Sequence, residues 1–422
     1  MLDFRQAPPL SIPLRFMLTA PLFGIAGAAL LFWAGADALQ SRWHPVALAA
    51  LHCFTAGFML QAMIGALWQV MPVVGGVVIA YPAPVAGITH VGLTLGAVLL
   101  VQGMLGQFAA SSTLLVVGAM LMGGAVAVLI AASLPGLVRT RLGAESARLL
   151  ALALLGLAGT VAAGFMLAWI LSGGESVGDV AILIDLHATW AFAGWGLPLV
   201  AAVALQFVPM FYMTPAYPRL ANAYLVGLAL ALVLAGGAYL DGSWAMRSGA
   251  VLAGLLACGF AAATLSRFAH RRRPRRDATL IGWQLAMISS LIAVALLVGS
   301  LVLSHAPPAQ ALELAFGAQA VLGVFVTLIG AMLLRILPFL ASLHLAAAGG
   351  GWRLDRAPGE RGQIVQVGLQ WLAAAAVALA AFVPDLARLA AALLLASQLA
   401  LARNVWGFAW ALRRAMHKAA HQ

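Results

Sequence analysis

Long apolar runs, separated by short polar breaks, are the feature that most limits how this chain can fold. They recur along all 422 residues; 64% of the residues are hydrophobic and only 8% are charged. A helix that crosses the hydrocarbon core of a bilayer needs roughly 20 apolar residues, so the chain has room for about twelve crossings. The sequence therefore predicts an all-α integral membrane protein with about twelve transmembrane helices. We expect residues 1–422 to form a single polytopic transmembrane domain, with no soluble domain.

Turn-forming residues separate the predicted spans and do not indicate linkers between domains. Prolines and glycines mark breaks at 81–84, 214–218, 307–308 and 349–351. The hydropathy pattern places the spans at 14–35, 45–72, 84–105, 110–135, 148–172, 182–211, 219–240, 246–266, 279–303, 311–342, 366–384 and 388–412.

Short clusters of arginine between the apolar runs account for the net charge of +11. Because the clusters do not form one basic face, they indicate membrane topology rather than a nucleic-acid partner. Most of these arginines fall on one side of the membrane with both termini, and only Arg42, Arg247 and Arg388 fall on the other. By the positive-inside rule, we expect both termini in the cytoplasm, in a bacterial inner membrane. The densest run, at 271–276, should lie against anionic lipid headgroups.

A short motif recurs at the inner ends of the second, sixth and tenth predicted helices. In each, a polar residue lies three positions before a proline: Gln69 before Pro72, Gln206 before Pro209, and Arg335 before Pro338. The prolines are 137 and 129 residues apart, a period of four helices that predicts three pseudo-equivalent four-helix units. Chance similarity between apolar segments is the alternative. Arg335 could extend to the cytoplasmic surface, or pair with a heme propionate or another helix.

Two of the three predicted units carry a histidine near the outer end of the helix with this motif. His52 lies 20 residues before Pro72, and His187 lies 22 residues before Pro209. An imidazole inside a membrane needs a partner, so each could ligate heme iron or hydrogen-bond to a neighbouring helix. Gly57 and Gly65 would let either a flat macrocycle or another helix approach His52.

Other residues could take part in the same chemistry. His90 in the third helix is a further intramembrane candidate for a metal ligand, and Asp185 could orient His187. The thioethers of Met59 and Met63, four residues apart on one face of the second helix, suit either Cu(I) or ordinary packing. The remaining histidines, which include His344 and His417, are predicted to fall in loops or in the C-terminal tail.

Three stretches together resemble subunit I of the heme–copper oxidase superfamily, including its nitric oxide reductase branch and the related NnrS-type heme membrane proteins. They are HCFTAGFMLQAMIGALWQVMP from His52, HATWAFAGWGLPLVAAVALQFVP from His187, and GAMLLRILP at 330–338. The resemblance implies that His52 binds a heme b and His187 binds copper. It also implies a partner subunit or a cytochrome.

The sequence departs from the family pattern in the seventh and tenth predicted helices, where the family has further histidines and this chain has none. We therefore expect no dioxygen reduction by this chain alone. The sequence favours a degenerate, heme-binding relative in respiratory, nitric oxide or oxygen chemistry, and leaves open whether it is an oxidoreductase component. A transporter, a heme or copper delivery protein, and a cofactor-free assembly subunit are the alternatives.

Overall fold

All regular structure in the described part of the chain is helical. The structure is a computed structural model that describes residues 8–106, 110–176, 178–218, 221–241, 243–347 and 358–420. Its long helices are α1 (Ser11–Ala34), α2 (Pro45–Val73), α3 (Pro82–Leu105), α4 (Ser111–Thr140), α5 (Glu145–Leu171), α6 (Val180–Tyr212), α7 (Ala221–Asp241), α8 (Ser243–Ala269), α9 (Ala278–Val302), α10 (309–347), α11 (Glu360–Ala380) and α12 (Ala387–Ala420).

Within the described residues, eleven helices are long and apolar enough to cross a membrane, and α7 adds a shorter apolar stretch, Ala221–Gly237. A helix satisfies its own backbone hydrogen bonds, which a bilayer requires of any spanning segment because its core holds no water. The prediction of an all-α integral membrane protein is confirmed.

Proline explains one wrong boundary prediction. The segment at 81–84 was predicted as a loop, but α3 begins at Pro82, directly after Tyr81 in a left-handed conformation (φ 47°). Proline suits the first turn of a helix because the N–H that it lacks would have no partner there.

Two helices continue further than their sequence predicts. Pro338 lies inside α10, which runs on to Ala347, and α12 reaches Ala420. The prediction that His344 and His417 fall in a loop or tail is therefore wrong, since both positions are helical. Hydropathy detects the apolar part of a helix and misses a polar extension beyond the membrane.

Three helices, α2, α6 and α10, share an irregularity that no other described helix has. Each contains a π-helical segment that starts 19 residues before its motif proline. The segments are Cys53–Met59, Trp190–Gly196 and Gln319–Val326. Because π-helical turns are rare, three at one register support the predicted repeat of four-helix units.

The π segments also share a glycine, which lies 15 residues before the proline in each case. Each glycine packs against the helix that precedes it in its own unit. A Cβ atom would lie 2.3 Å from the Phe23 side chain at Gly57, 2.9 Å from the Gly156 Cα at Gly194, and 2.8 Å from the Ser289 Oγ at Gly323. The second helix of each predicted unit therefore approaches the first at an equivalent point.

These three helices are also the most buried spans. In α2, α6 and α10, respectively 72%, 56% and 89% of the most apolar 18-residue window is buried, against 33–44% in the other long apolar spans. The histidines of interest in α2 and α6 thus belong to helices that contact mainly protein.

By its internal contacts the chain forms two compact units. The first comprises residues 1–8, 66–274 and 297–304, and the second comprises residues 9–65, 275–296 and 305–422. His90 and His187 belong to the first unit. His52 belongs to the second, where α1 packs against the π segment of α2 and against α12.

Candidate heme and metal ligands

His52 lies in the third turn of α2, whose start is fixed by another histidine. The His44 side chain caps the helix, since its Nδ1 accepts a hydrogen bond from the Val46 N–H at 3.3 Å. The Nδ1 of His52 lies 2.8 Å from the carbonyl oxygen of Leu48. A carbonyl oxygen only accepts, so Nδ1 carries the hydrogen, and in a neutral ring Nε2 holds the lone pair. This is the tautomer that a heme ligand requires.

The glycines near His52 admit a neighbouring helix and not a macrocycle. A Cβ atom at Gly57 would lie 2.3–2.5 Å from the Phe23 side chain, and one at Gly65 would lie 3.0 Å from that of Phe16. Both contacts belong to α1, which fills the space beside the two glycines. Any heme on His52 would therefore lie against another, half-exposed side of α2, which includes Thr55.

His187 is tied to a second helix. Its Nδ1 lies 2.9 Å from the carbonyl oxygen of Thr160 in α5, which again assigns the hydrogen to Nδ1 and the lone pair to Nε2. Gly164, one turn further along α5, leaves room for the ring, because a Cβ atom there would lie 3.0 Å from the His187 Cε1. The imidazole is thus held between α5 and α6. Asp185 is half-buried, and its role in orienting His187 stays a prediction.

A face of small residues on α5 allows α6 to pack closely against it. This face was not identified from the sequence. Gly156, Gly159 and Gly164 recur at helical spacing with Thr160 between them. A Cβ atom at Gly159 would lie 1.9 Å from the Trp190 ring, and one at Gly156 would lie 2.0 Å from the backbone of α6. Small residues at i, i+3 and i+8 are typical of close helix contacts in membranes, so the spacing was the available signal.

The shared register shows that His52 and His187 are not equivalent positions. His52 directly precedes the π segment of α2, whereas His187 lies three residues before that of α6. The offset of two residues is small in depth, about 3 Å, but corresponds to about 200° around the helix axis. Each histidine therefore presents its ring to a different side of its own helix.

The copper ligation of His187 that the resemblance implies stays a prediction. In the described part of the chain, no group of three or more His, Cys, Asp or Glu side chains could hold a metal ion. His90 is half-buried, and its backbone carbonyl accepts a hydrogen bond from Thr94 at 2.7 Å; its role as a ligand stays a prediction. Met59 and Met63 are both 5% exposed and pack in the core of the second unit.

Arg335 pairs with another helix, which decides between the alternatives that its sequence left open. Its guanidinium forms an ion pair with Asp277 and a 2.9 Å hydrogen bond to the Thr279 hydroxyl. Asp277 also caps α9 by accepting from the Leu280 N–H at 3.0 Å. Burial alone would raise the pKa of Asp277, but these hydrogen bonds and the positive charge together hold that pKa below its ordinary value.

The arginine run at 271–276 takes part in helix ends as well as lying at a predicted membrane surface. Arg271 donates to the Phe268 carbonyl at 2.9 Å, and Arg273 donates to the Phe211 carbonyl at 3.1 Å. These carbonyls belong to the last turns of α8 and α6, where no intrahelical partner exists.

The sequence matches no known protein-family model and no curated protein sequence.

Proposed function

We propose that this chain is a heme-binding integral membrane protein and that His52 is an axial ligand of one heme b. His187 is a second candidate ligand, considered by itself. One observation supports the proposal above the others: each imidazole donates Nδ1–H to a backbone carbonyl, Leu48 for His52 and Thr160 for His187. Histidines that bind metals almost always donate their other ring N–H to a carboxylate, a carbonyl or water.

The donor chemistry of both residues fits an axial heme ligand. Iron takes the lone pair of a neutral imidazole, and the carbonyl bond keeps that lone pair on Nε2 while fixing the plane of the ring. The surrounding helices are apolar, so water competes poorly for the same nitrogen. The proposal includes neither copper nor dioxygen reduction.

A bound heme would supply electron transfer or a binding site for a diatomic gas. The role of the protein would be to hold the imidazole and to exclude water. The proposed setting is respiratory or nitric oxide chemistry, with a cytochrome or another subunit as redox partner.

Absorption spectra of the detergent-purified protein, oxidised and dithionite-reduced, test this proposal. We expect a Soret band in the wild-type protein and its loss or a shift in His52→Ala. His270→Ala is the matched control, because the His270 Nδ1 lies 2.8 Å from the Ser266 carbonyl, as in His52, but its ring is exposed beyond the end of α8.

His187→Ala gives a separate result for the second candidate. A wild-type spectrum in His52→Ala with a lost band in His187→Ala would move the axial ligand to His187. Protein that contains no heme after expression with added hemin, or a band that survives both substitutions, would contradict the proposal.

A further inference from the structure

Glutamines form a stripe along one face of α11, from its first turns to its middle. Gln363, Gln366 and Gln370 follow each other at spacings of three and four residues, which places them on one side of a helix. Gln363 is half-buried near the helix start, whereas Gln366 and Gln370 are each 1% exposed. Amide side chains are unusual in the apolar interior of a membrane protein, and they tend to be functional there.

Gln370 connects this stripe to α12 and α10. Its Oε1 accepts hydrogen bonds from the Ser397 hydroxyl and from the Gln398 Nε2, both at 2.7 Å. Its Nε2 donates to the Leu322 carbonyl at 3.2 Å, inside the π segment of α10. Both the oxygen and the nitrogen of the Gln370 amide therefore have partners on neighbouring helices.

A second amide lies at the start of the same π segment. The Gln319 Nε2 donates to the Ala374 carbonyl of α11 at 3.3 Å. The Gln319 Oε1 and the Ser289 Oγ both lie beside Gly323, at 2.5 and 2.8 Å from where a Cβ atom would be. The missing side chain of Gly323 thus leaves room for polar atoms of α9 and α10.

Three amide oxygens of this glutamine cluster, defined as Gln319, Gln366, Gln370, Ser397 and Gln398, have no hydrogen-bond partner among the described residues. They are the Oε1 atoms of Gln319, Gln366 and Gln398. The side chains are 4%, 1% and 0% exposed, so bulk solvent does not reach them. Buried polar groups in membranes and in protein cores normally find a partner, which indicates a small hydrogen-bond donor at each oxygen.

We infer that the glutamine cluster binds water molecules inside the membrane-spanning part of the second unit. Water supplies two donors and bridges buried acceptors of this kind. A metal cation suits the oxygens less well, because the cluster consists of neutral amides and a hydroxyl and offers no charge to balance it. The stripe then forms a hydrated path from the start of α11 to its middle. This inference does not depend on heme binding.

Water-edited solid-state NMR tests this directly on the full chain in liposomes, with ¹⁵N in the glutamine side chains and tryptophan indoles. We expect the Gln366, Gln370 and Gln398 amides to receive water magnetisation at mixing times close to that of half-buried Gln363. Trp283 is the dry control in the same unit, being 1% exposed and donating its Nε1–H to the Met332 Sδ at 3.0 Å. Single Gln→Met variants assign the signals.

If water magnetisation reaches the Gln366 and Gln398 amides as slowly as it reaches the Trp283 indole, the inference is wrong. If an amide gives no usable NMR signal, the melting temperature provides a second test of the inference. Methionine resembles glutamine in length and removes the polar atoms. If Gln366 is hydrated, Gln366→Met lowers the melting temperature, with little change in Gln363→Met. If its oxygen is dry and unpaired, Gln366→Met raises the melting temperature, and the inference fails.

Discussion

Backbone carbonyls hold the intramembrane polar side chains that matter most in this protein. His52 uses the Leu48 carbonyl of its own helix, and His187 uses the Thr160 carbonyl of the preceding helix. A helical carbonyl keeps a second lone pair after its backbone hydrogen bond, and no water competes for it inside a bilayer. The consequence for each imidazole is a fixed tautomer, on which its proposed role as a ligand depends.

The pKa of Asp277 predicts how stability depends on pH. Because the pKa of this carboxyl is lower in the folded protein, its ionised form stabilises the fold above the unfolded pKa of about 4. That contribution is lost as pH falls through the folded pKa. We expect the melting temperature to fall from pH 5 to pH 3 more steeply in the wild-type protein than in Asp277→Asn.

The Asp277→Asn variant should also be less stable near pH 7, by roughly 1–3 kcal/mol, because Arg335 loses its charged partner. Asp179→Asn is the matched control, since Asp179 also caps a helix, by accepting from the Ala181 N–H at 2.8 Å, but is exposed. If the melting temperatures of the wild-type protein and of Asp277→Asn fall equally as pH decreases, this ion pair is not the cause of the loss of stability in acid.

At the scale of helices, the sequence predicted the repeat but not its structural form. The motif prolines identified α2, α6 and α10 as equivalent, whereas the π segments could not be predicted. An α turn and a π turn differ by one residue in hydrogen-bond register, and no residue type specifies that difference. The shared glycines, Gly57, Gly194 and Gly323, were a visible signal, because they lie at one spacing from the prolines.

For the candidate site, the sequence located the histidines but not their partners. An imidazole in an apolar run is conspicuous, so His52, His187 and His90 could be named from residue type alone. Thr160 could not, because its backbone carbonyl is the acceptor and lies 27 residues from His187. Any residue supplies such a carbonyl, and only the packing of α5 against α6 brings this one near.

That packing leads to a prediction about Gly156. A Cβ atom there would lie 2.0 Å from the backbone carbon of Gly194, which cannot move aside as a flexible side chain could. We expect Gly156→Ala to separate α5 from α6 and to destabilise the protein by about 1–3 kcal/mol or more. Fluorescence-detected size-exclusion chromatography after heating measures the loss.

Gly124→Ala is the control for this substitution. Gly124 is also inside a spanning helix, α4, but a Cβ atom there would meet nothing within 4 Å. Its variant should melt as the wild-type protein does or slightly higher, since alanine favours a helix over glycine. Equal melting of the Gly156→Ala and Gly124→Ala proteins would mean that α5 and α6 are further apart than described.

For the whole molecule, the even number of helices in each repeat unit has a topological consequence. If all twelve long helices cross, each four-helix unit returns the chain to the side from which it started, and α2, α6 and α10 all cross in one direction. The loops after α4 and α8 then lie on the same side as both termini. Nine of the 23 lysines and arginines lie in or beside these two loops, which is the side that the positive-inside rule favours for them.

The last prediction concerns α7 (Ala221–Asp241), which is not among the eleven helices that are long and apolar enough to cross a membrane within the described residues. If α7 crosses, the loop at 270–277 is cytoplasmic; if it does not, every later loop is inverted and the arginines at 271–276 lie outside. We expect a green fluorescent protein fused after residue 274 to fluoresce and an alkaline phosphatase fused there to be inactive. A fusion after residue 306, between α9 and α10, should give the opposite result, and one after residue 142 should match residue 274. Phosphatase activity at 274 with fluorescence at 142 would contradict this topology, because an odd number of the four helices between those points would then cross.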